Sequence, residues 1–193
     1  MVDVMVPDAL QPEELQPASL RGVPAAEALS SRLLLTQLAT RALEDWCRVR
    51  GLGSGHITVR RHDQPAPAVL DPDSLAALGG DARGTTLRRV DIRLGPVILV
   101  DAVNWYFADR LTAAMRERLR GDTPFGEAVS ALKARRRTFH VSVAPPEVIE
   151  AATRNAGPHA AAVHVFEHRA ALDLPDGTPV AVVHERYRAV LVR

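Results

Sequence analysis

The 193-residue sequence predicts an α+β fold: one domain on an antiparallel sheet of about six strands, with helices packed on one side. Three observations carry that expectation. Val163–Val192 reads as a long hairpin whose arms flank the turn Leu174-Pro-Asp-Gly-Thr-Pro179; proline presets φ there and glycine accepts φ > 0. A second pair, Leu87–Leu94 and Val97–Tyr106, closes through Gly95-Pro96. Helix signals fall between strands that are themselves mostly joined as hairpins.

Composition bounds the function. Apolar residues make up 47% and charged residues 24%, with a net charge of +1. That balance fits an ordinary soluble domain and gives no bulk electrostatic case for nucleic acid. Cys47 is the single cysteine, so there is no disulfide framework or cysteine metal cluster. The seven histidines are scattered without metal-ligand spacing, so no metal is expected. No basic leader segment or apolar run of ~18 residues occurs, which predicts a cytoplasmic protein without a membrane partner. The expected assembly is a monomer or homodimer.

In chain order, residues 1–24 carry four prolines among acidic residues and read as an irregular arm, leaving 25–193 as the folded domain. A helix is expected over Ala25–Arg50, with a break allowed near Thr36–Thr40 and a stop at Gly51. His56–Arg61 alternates as a strand. Asp63–Gly84 is loop-like, with Asp71-Pro72 able to cap a short helix over 74–78; so long a connection reads either as a lid over a site or as a surface excursion. In Leu87–Leu94, Arg88 shares a face with Val90, Ile92 and Leu94, whereas Arg89, Asp91 and Arg93 face away. Asp109 can cap a helix over 110–120. Thr123-Pro124 can start another, with Phe125, Val129 and Leu132 on its apolar side. Arg135-Arg136-Arg137 reads as a solvated helix end, Arg137–Val143 as a strand, and 146–155 as a helix. In the closing strand Glu185 interrupts an apolar face shared with Ala181, Val183 and Tyr187, so it must be paired, exposed or functional.

Several of these stretches together resemble the chorismate lyase family. Gly177-Thr-Pro179 followed by an aliphatic strand ending Glu185-Arg-Tyr187 is similar to that family's closing strand, which ends T-E-x-F. Thr123-Pro-Phe-Gly126 resembles its T-P-L-G helix start, and Arg88-Arg-Val-Asp-Ile92 its arginine-bearing strand. Leu38–Glu44, Arg137-Thr-Phe139 and Phe166-Glu-His-Arg169 resemble three further motifs, all in the family's order from Ser30 to Arg193. Ala39, Phe125 and His184 depart from the family pattern, and Gly157-Pro158 lies on an insertion; these departures bear on which substrate is taken.

The resemblance implies a cofactor-independent carbon–oxygen lyase that eliminates pyruvate from chorismate to leave 4-hydroxybenzoate. Arg88 would hold the ring carboxylate and Glu185 would meet the 4-position oxygen as the bond breaks. Arg169 would serve the other carboxylate, the Phe125-Gly126 backbone would help close the pocket, and Ala39 would line it. Two alternatives stand beside it: a non-catalytic small-ligand-binding domain, as in effector domains of GntR-type regulators, or a homologue recruited to natural-product chemistry on another cyclic substrate. Residues 1–55 are too short and too weakly basic to supply the DNA-reading domain such regulators carry.

Overall fold

Two groups of strands meet through a strand that lies late in the chain. The computed structural model describes residues 19–63, 68–155 and 157–193; most of the expected N-terminal arm lies outside them. The strands are β1 (Ile57–Arg61), β2 (Thr85–Leu94), β3 (Val97–Phe107), β4 (Arg135–Val143), β5 (His164–Asp173) and β6 (Pro179–Arg188). They form one antiparallel sheet in the order β1-β2-β3-β6-β5-β4. Gly95 and Gly177 turn the β2–β3 and β5–β6 hairpins with φ of 55° and 87°, values in which other residues are strained.

The helices are α1 (Gly22–Leu34), α2 (Ala39–Val49), α3 (Pro72–Ala77), α4 (Ala113–Arg120), α5 (Phe125–Ala128), α6 (Pro146–Arg154) and α7 (Pro158–Ala161). The cross-strand register puts Arg88, Val90, Ala102, Asn104, Val183, Glu185 and His168 on one sheet face. On that face α1, α2 and α6 close one core cluster with Val100, Phe166 and Tyr187. There α4 and α5 close a second with Tyr106, Ala170 and Val183. Trp46 donates from its indole N–H to the Leu191 carbonyl at 2.8 Å, tying α2 to the short 3-10 turn Ala189–Val192.

Several local expectations need correction. The helix over 25–50 breaks where the sequence allows a break, Thr36–Leu38 turning between two helices, and the first begins earlier, at Gly22. The helix after β3 starts later than Asp109: Ala108–Arg110 is a 3-10 turn, and Thr112 caps α4 by accepting from the Met115 amide at 3.2 Å. Thr123 caps nothing; Pro124 stands at the N-cap and α5 ends at Ala128 before a 3-10 turn. Arg135–Arg137 belongs to β4 rather than to a helix end. The strand expected to run to Val192 stops at Arg188. Asp91, read as solvated, is 3% exposed. It accepts from Arg60 and from the His62 ring, both at 2.7 Å.

The expected short helix is present as α3, capped by the Asp71 carboxylate on the Ser74 amide at 3.0 Å. It is the exception to the one-sided packing. With Ala68, Leu70, Ala77, Leu78 and Ala82, this segment covers Val103, Trp105, Phe107, Ala171 and Val182 on the opposite sheet face. The described part of the 63–84 connection therefore covers a second hydrophobic layer, and it does not act as a lid over the face that carries Glu185.

Candidate functional site

A cavity of about 890 Å³ opens on the Glu185 face of the sheet. Its floor takes residues from all six strands: Val59, Val90 and Ile92, then Ala102 and Asn104, then Val183 and Glu185, then Leu172 and Asp173, then Arg135–Arg137. Its walls are the start of α2 (Leu38–Thr40), α5 with the turn after it (Pro124–Gly126, Val129–Ala134), and the β5–β6 turn.

Glu185 is built into the floor. Its carboxylate Oε2 accepts from Arg136 Nη2 at 2.6 Å and from the Tyr187 hydroxyl at 3.0 Å. Arg136 and Glu185 side chains are each 11% exposed, so the pair is shielded from solvent. Burial alone pushes the Glu185 carboxyl up, but Arg136 and Tyr187 more than offset it and the net shift is downward. The same burial and the neighbouring carboxylate push the Tyr187 hydroxyl well up. His168, the cross-strand partner of Glu185, is fully buried. Its Nε2 lies 2.8 Å from Ser30 Oγ and its Nδ1 has no partner. Burial, with the Arg136 charge, carries its pKa down to about 4 despite the opposing pull of Glu185. The site therefore holds an ionised glutamate beside a neutral histidine.

Of the residues singled out from sequence, Glu185, Ala39, Phe125 and Gly126 line the cavity. Arg88 shares their face but is not among the lining residues. It is 3% exposed and donates through Nη2 to the Thr123 carbonyl at 3.0 Å, directly before wall residue Pro124. Its Nε and Nη1 have no partner, and burial lowers its pKa to about 10. Arg89 points to the other face, as the register requires. Arg169 also lies on that other face, ion-paired to Asp71 at 3.0 Å and near Glu167 at 3.4 Å. The sheet thus separates Arg169 from Glu185, and the structure does not bring the two together.

Arg136 is the functional candidate that sequence reasoning missed. It sits in a triple-arginine run that reads as solvated. The available signal was alternation: if β4 begins at Arg135, Arg136 shares a face with Thr138 and turns inward while Arg135 and Arg137 turn outward. Its backbone amide is also held, by the Gln37 side chain at 3.3 Å, which ties the α1–α2 turn to the edge of β4.

The charge around the cavity is uneven. Lys133, Arg135, Arg136 and Arg137 line one end together with the first residues of α2. Arg136 is paired with Glu185, and Arg137 lies 3.3 Å from Asp173. Lys133 and Arg135 have no carboxylate partner among the described residues. No side chain caps the first amides of α2, so its positive pole opens at the same end. The other end, over β1 to β3, is lined by Val59, Val90, Ile92 and Ala102. Among the described residues no group of three His, Cys, Asp or Glu side chains could hold a metal, and no helix is long and apolar enough to cross a membrane.

No protein-family model matches the chain. Among solved structures, the effector domain of PhnF from Mycobacterium smegmatis is similar at a TM-score of 0.49 and 12% identity, covering 79% of this chain and 88% of that one. The possible transcriptional regulator YydK from Bacillus subtilis subsp. subtilis str. 168 is similar at 0.48 and 13% identity, covering 88% and 78%. The uncharacterized protein y4mC of Sinorhizobium fredii (strain NBRC 101917 / NGR234) is 34% identical over 174 residues, covering 83% of this chain and 72% of its own length. The chain belongs to the same family as y4mC of Sinorhizobium fredii.

Proposed function

We propose that this protein binds a small carboxylic acid in the cavity over its sheet. The carrying observation is the cationic end: Lys133 without a carboxylate partner among the described residues, beside an uncapped helix start, on a cavity that is otherwise largely apolar. Pockets of ~300–1,000 Å³ bury small ligands with a few placed polar groups, and this cavity falls in that range. Arg88 adds positive potential from behind the Pro124 wall, since no carboxylate neutralises it among the described residues. Glu185, kept ionised by Arg136, accepts a hydrogen bond from a hydroxyl on the ligand and repels a second carboxylate from that position. Calorimetric titration with benzoate and 4-hydroxybenzoate, against their neutral amides, tests the reading. The acids should bind with salt-sensitive affinity and the amides much more weakly; equal binding of acids and amides would refute it.

A second reading, elimination of pyruvate from chorismate, is favoured by one observation: an ionised glutamate lies in the floor of a cavity that attracts acids. Glu185 would contact the ring's 4-position oxygen while Arg88 favours the ring carboxylate, and the cavity would exclude water while aromatisation drives the step. Incubation with chorismate, following pyruvate and 4-hydroxybenzoate together, separates the readings: both products appear if the protein is a lyase, and neither appears if it only binds.

A further inference from the structure

We infer that the acid this cavity takes is elongated and amphipathic, with its carboxylate at the β4 end and an apolar body reaching across the sheet to β1. The inference rests on the binding reading above and names its ligand class.

Length comes from the strand order. The cavity is continuous from Val59 on β1, one edge of the sheet, to Arg135–Arg137 on β4, the other edge. Adjacent strands lie ~4.8 Å apart, so five intervals span about 24 Å. A ligand lying across the strands has that distance available. Volume agrees: 890 Å³ is near the top of the ~300–1,000 Å³ range for ligand pockets. A single-ring acid would leave most of it to water, over a far floor where Val59, Val90, Ile92 and Ala102, beside Asn104, gain nothing from hydration.

Polarity supplies the orientation. The α2 start and Lys133 lie at the β4 end, whereas Val59, Val90, Ile92 and Ala102 line the far floor. Along the sheet the lining thus passes from cationic, through the Glu185–Arg136 pair and Asn104, to apolar. A ligand charged at one end and apolar over the rest matches that gradient in one direction only. Ala102, a small residue in the middle of a central strand, leaves the floor open where a larger side chain would divide it.

The test is a chain-length series of straight-chain carboxylates, from butanoate to dodecanoate, titrated calorimetrically below their micellar concentrations, with benzoate and alkyltrimethylammonium salts of matching length alongside. Affinity should rise by about fourfold per methylene, the ~0.8 kcal/mol of a buried CH₂, through the whole series, because extended dodecanoate is shorter than the trough. The cationic amphiphiles should bind at least tenfold more weakly than carboxylates of equal length. Ala102→Phe should remove the gain with length; Val59→Phe, on an edge strand where bulk is better tolerated, serves the same purpose if Ala102→Phe does not fold. Affinity independent of length, with benzoate still bound, would overturn the elongated ligand and leave the binding reading intact. Equal binding of carboxylate and ammonium amphiphiles would overturn the orientation. Failure of every acid to bind, benzoate included, would overturn both readings.

Discussion

Replacing Arg136 by methionine removes the cation from Glu185 and keeps most of the side-chain volume. Surface ion pairs contribute only ~0–1 kcal/mol, but this pair is not of that kind, since both side chains are 11% exposed and their nearest atoms are 2.6 Å apart. Breaking a buried pair costs ~3–5 kcal/mol, because the remaining charge is left uncompensated. The Tyr187 hydroxyl still donates to the same carboxylate, so the lower end, about 3 kcal/mol, is expected. For a chain of this length each kcal/mol shifts Tm by ~2–4 °C, giving a drop of about 6–12 °C at pH 7. The sign with pH follows from Glu185. In the wild type its folded pKa lies below the ordinary value, so its contribution is present above ~4.3 and lost as pH falls through the folded value. Without Arg136, burial raises that pKa, so the variant's deficit widens as pH rises from about 4.5 to 7. Arg136→Met/Glu185→Gln, which removes both charges, should recover most of the loss. Calorimetric melting of the three proteins at both pH values is the assay. A drop of less than about 2 °C for Arg136→Met at pH 7, or an equal deficit at both pH values, would refute the buried-pair account.

Three further expectations follow from the site. His168 is buried and neutral with its pKa held at about 4, so the unfolded chain binds one more proton between that value and ~6.5; stability should fall by about 3 kcal/mol as pH drops across the interval, His168→Gln should reduce that slope in urea titrations, and an unchanged slope would refute the assignment. Arg88→Met should weaken benzoate binding about 5–30-fold, the effect of ~1–2 kcal/mol, while Arg89→Ala, on the opposite face, should change it by less than about twofold; with stability measured alongside, a larger effect from Arg89 would contradict the cavity assignment. EDTA should leave acid binding unchanged, and loss of binding restored by one added metal would show a centre absent from the described residues.

Much of the sheet was legible because alternation is a local signal. Placing Arg88 inward and Arg89 outward needed only the apolar neighbours Val90 and Ile92, and both hairpins announce themselves by their turns. The helices were read less well, since boundaries depend on which competing cap the tertiary structure uses: Thr112 rather than Asp109, and Pro124 rather than Thr123. Arg136 and Arg169 mark the limit within the site. Neither residue's surroundings follow from its neighbours in sequence; both depend on pairing with distant segments, β4 with β5 and β5 with the 68–82 layer. His168 is the same kind of case: a histidine in a charged stretch reads as a surface residue until Ser30, Phe166 and Tyr187 close over it.

The position of β6 has a consequence for how the chain is made. It follows the other five strands in sequence, yet it pairs with both β3 and β5 inside the sheet. Until it emerges from the ribosome, β1–β3 and β4–β5 are two incomplete sheets, each with an unpaired edge. The interval is set by residues 108–178, which take about 4–14 s to synthesise at ~5–20 residues per second. Through that time β3, apolar on both faces, has no neighbour of its own on the β6 side. Slower translation through 108–178, or a destabilising substitution in β6, therefore lengthens the exposure of an aggregation-prone edge, so soluble yield would respond to β6 mutations more steeply than their equilibrium cost alone implies.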